Sequence, residues 1–231
     1  MWVVPSIAAV VAGLFAGMLL RQWITRPRPP QLAWAIAMLM FAAASAAAAA
    51  GVANGWTPFE FKVYWALGAV LNVAFLAGGE VMLLFRRSWV VWATSLVLVF
   101  ATAYTVSVLS AADVHQAFLS DQLPLGRDVF GAGTPAHRAA QLVAYPAYVM
   151  LLLGTLWSAW MMRGRPDLRD RFIGTLAIAI GATIVAGGAA FAATGLVVGF
   201  FATLVVGIVV MFWGFLRASR RVERPVATSA A

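Results

Sequence analysis

A chain of 231 residues that is 63% hydrophobic and only 10% charged cannot hide its apolar surface inside a soluble fold, because soluble domains carry about 25% charged residues. Lipid must cover the excess, so the composition excludes the soluble classes. The net charge of +8 does not point to nucleic acid, since the basic residues stand in short clusters between apolar runs and not along a stripe interleaved with aromatics.

Cysteine is absent, which removes disulfides, thiolate metal sites and cysteine nucleophiles together. Arginine outnumbers lysine fifteen to one and alanine is abundant. That usage points to a GC-rich bacterial genome and so to the cytoplasmic (inner) membrane. Residues 1–5 carry no charge, and the first positives follow the first apolar run. This is the flank order of an anchor with its N-terminus outside, not of a cleaved signal peptide.

Each crossing needs about 20 apolar residues to pass roughly 30 Å of hydrocarbon. The first span covers residues 2–20 and ends at Arg21, Arg26 and Arg28. The segment Arg26-Pro27-Arg28-Pro29-Pro30 cannot continue a helix and turns the chain. The second span covers 32–52 and is followed by Asn54-Gly55-Trp56-Thr57-Pro58, with Trp56 where an interfacial aromatic belongs. The third covers 61–85 and stops at Arg86-Arg87, and the fourth covers 90–109. A long loop, 110–138, holds both histidines and the turn-rich Gly131-Ala132-Gly133-Thr134-Pro135. The fifth span covers 139–162 and ends in Arg163-Gly164-Arg165-Pro166. Between Arg171 and Arg217 lie 45 residues without a charge, which fit two spans, 172–193 and 197–216, with a turn near Thr194-Gly195. A flexible tail, 218–231, follows.

Thirteen of the sixteen basic residues fall on the side that holds the C-terminus, leaving Lys62, Arg127 and Arg138 on the other. Positive residues are retained in the cytoplasm during insertion. The expected fold is therefore an all-α integral membrane bundle of about seven transmembrane helices, one domain over 1–217, N-terminus outside and C-terminus cytoplasmic. Seven spans allow a three-plus-one-plus-three parallel repeat. Pro5 and Gly13 in span one recur as Pro146 and Gly154 in span five, each pair eight residues apart. Small and proline residues are common in membrane helices anyway.

Polar groups inside spans are costly and therefore informative. Glu80 is the one acid within a span, six residues before Arg86, or roughly 9 Å inside the basic boundary. It could serve a proton or cation, or it could pack structurally. Lys62 projects onto the same helical face, with Asn72 a quarter turn away. Span four shows Thr94, Ser95, Thr102 and Thr105 on one quarter of its circumference. Span five shows Gln141, Tyr145, Tyr148 and Thr155 on one stripe, with Pro146 as a kink. The candidate ligand or ion pathway is Glu80, Asn72, Thr102, Thr105, Gln141, Tyr145 and Tyr148. The competing reading makes these stripes interhelical hydrogen-bond partners. Gly13-x-x-x-Gly17 and Gly195-x-x-x-Gly199 permit close helix approach.

His115 and His137 are the metal candidates, with Asp113, Asp121 or Asp128, but their spacing matches no metal motif. No cofactor is expected: haem wants histidines within spans, and retinal wants a lysine well inside one. No catalytic residue is assigned, and the reading leans away from an enzyme.

The stretch Gly55-Trp56-Thr57-Pro58, then Tyr64-Trp65-Ala66-Leu67-Gly68-Ala69-Val70-Leu71-Asn72-Val73-Ala74 and Arg86-Arg87, resembles a pattern in multi-span membrane proteins of GC-rich bacteria. The resemblance covers about 35 residues around span three and brings no activity with it. The first functional expectation is movement of a small solute or ion through the bundle. The second is an accessory or scaffolding subunit of a larger membrane complex, and the third a receptor or sensor. Expected partners are the bilayer and other membrane subunits or further copies of the chain, not nucleic acid.

Overall fold

The computed structural model describes residues 2–120 and 123–219. Among these it holds seven helices long and apolar enough to cross a membrane: α1 (Val3–Thr25), α2 (Pro29–Asn54), α3 (Pro58–Leu84), α4 (Ser88–Ser110), α5 (Pro135–Met162), α6 (Pro166–Ala193) and α7 (Val197–Ala218). Asp121, and the expected tail from residue 220 onward, lie outside the described residues.

Most helices overrun the apolar runs that announced them. Hydropathy marks where lipid begins, whereas a helix continues until its backbone is capped or blocked. Thus α1 carries Arg21 and Gln22 past its apolar run before stopping at Thr25. Four helices begin with proline in the first turn, at Pro29, Pro58, Pro135 and Pro166. There the missing N–H would have had no intrahelical partner. Thr57 and Glu60 close a capping box at the start of α3, each side chain taking the other's backbone N–H. The link from α6 to α7 needs Gly195 at φ 75°, a left-handed conformation that favours glycine.

Six helices form a ring in which α1 packs on α2, α2 on α3, α3 on α5, α5 on α6, α6 on α7 and α7 back on α1. α4 stands outside it, against α3 and the first turn of α5. Consequently 50% of the apolar window of α3 is buried, and only 17% of that of α4. All seven helices alternate in direction. One end of the bundle gathers the arginine-bearing links, and the other carries the loop segments 111–120 and 123–134.

Small residues set the helix spacing. Gly174 and Gly181 on α6 face Gly214 and Gly207 on α7, two turns apart on each helix. A Cβ added at Gly181 would stand 2.6 Å from the Gly207 carbonyl, so the two backbones are nearly in contact. The expected Gly13-x-x-x-Gly17 approach does not occur, since a Cβ at either position would meet nothing within 4 Å. α1 turns a different face inward, on which Ala8, Ala12 and Ala16 are fully buried. A small-residue motif permits approach, but the neighbouring helices decide which face is used. Gly199 on α7, by contrast, does face a neighbouring helix: a Cβ there would stand 2.8 Å from the Phe191 ring on α6, while Gly195 serves the turn. At the arginine end, Arg217 Nε pairs with Asp170 at 3.0 Å and ties α7 to α6.

Candidate functional site

The ring encloses a cavity of about 590 Å³ in the half of the bundle nearest the loop. α2, α3, α5, α6 and α7 line it, and residues 123–127 of the loop lie over it. Its floor is apolar, made of Met38, Leu76, Leu151, Ile208 and Met211.

The wall shared by α3 and α5 departs from α-helix on both sides. In α3, residues Trp65–Leu71 are π-helical, with the Asn72 N–H bonded to the Leu67 carbonyl five residues back. In α5, residues Ala140–Ala144 are π-helical and lead directly to Pro146. Pro146 has no N–H for the Leu142 carbonyl, and the turn before it widens. The two π stretches touch each other, and Gly68, Ala69, Ala140 and Ala144 from them line the cavity. Wide turns of this kind concentrate at functional sites.

Two polar side chains carry the site. Ser45 on α2 and Asn72 on α3 both line the cavity and are 3% and 6% exposed. Neither has a hydrogen-bond partner among the described residues. Their polar atoms open onto the cavity, since among the described residues Gln31 Oε1 alone is a sealed side-chain atom without a partner, so both groups can bond whatever enters. Tyr64, Tyr145 and Tyr148 also line the space, with the Tyr148 hydroxyl donating to Thr183 Oγ1 at 3.0 Å. Among the described residues no aspartate or glutamate lines it.

The loop is held down from below. Trp65 lies against Gly126, where a Cβ would collide with the indole, and Trp65 Nε1 donates to the Ala136 carbonyl at 3.1 Å. Phe61, Trp65, Phe130 and His137 stack in a continuous aromatic group. Trp56 joins it at 5.7 Å from Phe61 and is 7% exposed, against Gly51. Trp56 is therefore a packing residue, not the interfacial anchor its place after span two suggested.

The expected pathway residues separate into three groups. Asn72, Tyr145 and Tyr148 come together at the cavity. Glu80 lies one helical turn below the floor residue Leu76, 5% exposed, between α3 and α5. Ser158 Oγ donates to its carboxyl at 2.9 Å. Gly154 leaves room for its stem, since a Cβ there would stand 2.7 Å from Glu80 Cγ. No cation pairs with Glu80 among the described residues. Thr102, Thr105 and Gln141 do not line this cavity, but Thr102, with Ser95, lines a separate, mostly apolar cleft of about 820 Å³ formed by α2, α3 and α4. Thr102 and Thr105 bond to the carbonyls of Leu98 and Ala101 on their own helix, at 2.8 and 2.7 Å. Gln141 is exposed and does not line the cavity.

Lys62 and Glu80 do not share a face. Lys62 Nζ donates to the Ala112 carbonyl at the end of α4, at 2.8 Å, whereas Glu80 turns to α5. The projection at 100° per residue fails because the π stretch between them adds residues to the turn. The histidines are also apart. His115 is fixed to the Val129 carbonyl through its backbone N–H and Nδ1, at 2.9 and 3.0 Å. His137 Nδ1 accepts from the Gly133 N–H at 3.3 Å. Among the described residues no three metal-ligating side chains of His, Cys, Asp or Glu type gather.

Sequence reasoning missed Ser45, which sits in an alanine run and carries no periodic signal. Its one signal was being the lone hydroxyl in that run. The π stretches left no composition signal in α3, while Pro146 marked the one in α5. No protein-family model, curated protein or solved structure matches the chain.

Proposed function

We propose that this is a multi-pass protein of the bacterial inner membrane that binds a small solute inside the helix ring and moves it across the bilayer. The carrying observation is the cavity itself: about 590 Å³, lying under loop residues 123–127, with an apolar floor at mid-bundle and the polar side chains of Ser45 and Asn72 in its wall. Pockets of this volume hold small molecules. A site at mid-bundle between two sets of helices is where alternating-access carriers hold their solute. In this reading the N-terminus and loop face outward and the arginine-bearing links face the cytoplasm. Two parallel three-helix units, α1–α3 and α5–α7, form the ring, with α4 as their joint. Glu80 and Ser158 bond α3 to α5 just below the floor, where the opposite opening would form.

The cysteine-free chain suits a direct test. Single cysteines at Ala69 in the cavity and Leu76 in the floor are labelled with a membrane-impermeant thiol reagent, applied from one side of sealed vesicles at a time. Ala69→Cys should react from the loop side. Leu76→Cys should react from both sides, more slowly from the arginine side. Reaction of Leu76→Cys from the loop side alone would sink the transport reading.

A second reading is favoured by α4. It stands outside the ring with Trp89 and Trp92 exposed, and Glu80 is packed away from the cavity. An accessory subunit that docks a neighbouring membrane protein through α4 would have these features. Stoichiometric co-purification in mild detergent, lost on Trp92→Ala, would support it over transport.

A further inference from the structure

The cavity reaches the outer surface of the bundle between α5 and α6. α5 packs on α6 below residue 145, while above it the π stretch of α5 has no comparable contact with α6. Tyr145 on α5 and Ala189 and Ala193 on α6 bound this gap, and all three both line the cavity and are exposed. The end of α6 here is built from small residues, Ala186-Gly187-Gly188-Ala189-Ala190, so α6 puts little side-chain bulk into the gap. Because α5 and α6 are neighbours in the ring, the gap faces outward, toward acyl chains and not toward water.

Inside, the chemistry is selective. The deep wall carries Ser45 and Asn72 and no ionisable acid, lysine or arginine. The charged side chain nearby, Arg127, belongs to the loop at the cavity's rim and is already paired with Asp128 at 3.2 Å. A charged head at Asn72 would be desolvated without a counter-ion, which is strongly unfavourable. A neutral head meets a matching set, because the Asn72 amide donates and accepts and the Ser45 hydroxyl does both.

We infer that the cavity takes a neutral amphiphile from the bilayer, its hydrogen-bonding head against Ser45 and Asn72 and its apolar tail lying in the alanine-lined gap between α5 and α6. This names the solute class for the site of the transport reading and rests on that reading for the site's identity. The cavity's polar groups, the lack of acids among its described lining residues and its lateral opening each bear on one part of the molecule: head, charge and tail.

The test uses radiolabelled decanamide and the full chain in nanodiscs of zwitterionic lipid, with empty nanodiscs as the partition control. Saturable binding is expected, displaced by decanol but not by decanoate or decyltrimethylammonium at equal concentration. Asn72→Leu should weaken binding at least tenfold and Ser45→Ala severalfold. Ala189→Trp, at an exposed position that leaves the polar groups intact, should also abolish it. Binding no greater than to empty nanodiscs, or equal displacement by the charged amphiphiles, would overturn the inference. So would full affinity in both Asn72→Leu and Ala189→Trp. The two readings fail separately. Decanamide binding with one-sided Leu76→Cys labelling retains the ligand class and removes transport. Two-sided labelling without decanamide binding does the reverse.

Discussion

α3 and α4 are consecutive, similar in length and similarly apolar, yet one is the structural centre of the ring and the other lies on its outside. Their polar residues behave differently. Those of α3 and its neighbours reach across helices: Lys62 to Ala112, Trp65 to Ala136, Ser158 to Glu80, and Trp34 to the Leu76 carbonyl. Those of α4 return to their own backbone, as Thr102 and Thr105 do. In lipid, hydrophobicity does not sort inner helices from outer ones, because tails are as apolar as leucine. The sorting comes from side chains that either need a partner on another helix or can satisfy themselves within one turn. Glycines mark the same division. Gly78 and Gly79 on α3 make room for Leu98 and Trp34, whereas α4 has no glycine.

The largest contrast should come from filling the α3–α5 seam. Gly154→Leu would put a branched side chain where Glu80 now lies, and overpacking of this kind costs about 1–3 kcal/mol. Val97→Leu on the exposed face of α4 adds comparable bulk and should leave the melting temperature in detergent unchanged. Equal effects would mean that α3 is no more constrained than α4. Next is Ser158→Ala, which leaves the buried Glu80 carboxyl without its donor. Removing one partner of a buried bond costs roughly 1–3 kcal/mol, and the thermal shift should largely vanish when Glu80→Leu is added. A double variant less stable than Ser158→Ala alone would show that Glu80 has another partner.

Much of this division was out of reach of the sequence, for identifiable reasons. Seven helices and their order follow from apolar runs interrupted by arginine and proline. Asn72, Tyr145 and Tyr148 stood out as polar groups in spans, and they do meet. Glu80 stood out equally but lies below the cavity floor. The difference is Gly154, on a helix more than 70 residues away, which receives it. The hydroxyl stripe of α4 divides, with Ser95 and Thr102 lining a cleft against α2 and α3 while Thr105 is fully buried; helical projection shows which residues share a face, not what that face meets. The Lys62–Glu80 alignment failed at a π stretch that leaves no mark in α3's composition. Gln141 shared a stripe with Tyr145 only under ideal α geometry, and residues 140–144 are π-helical.

Smaller effects sharpen the comparison from the α4 side. Thr102→Val and Thr105→Val each remove a bond that the helix makes to itself. The loss should stay near or below about 0.6 kcal/mol, the average for polar contacts in membrane helices. Parallel melts of the two variants and Asn72→Val would check this. Asn72→Val removes a group with no protein partner, so its stability should hold or rise while decanamide binding falls. A destabilised Asn72→Val with intact binding would make Asn72 an ordinary packing residue.

The smallest effect belongs to the link between α1 and α2, away from both helices compared above. Gln31 Nε2 donates to Gln22 Oε1 at 3.5 Å, a long bond, while Gln31 Oε1 is buried with no partner. An acceptor left in this state costs free energy that an apolar side chain of similar size avoids. Gln31→Leu should therefore raise stability slightly, by up to about 1 kcal/mol, read as a small rise in melting temperature. Unlike Asn72, Gln31 lies outside the central cavity, so the substitution should leave decanamide affinity unchanged. A gain in stability at both positions, with loss of ligand only at Asn72, would separate an unpartnered group kept for binding from one that is merely left over.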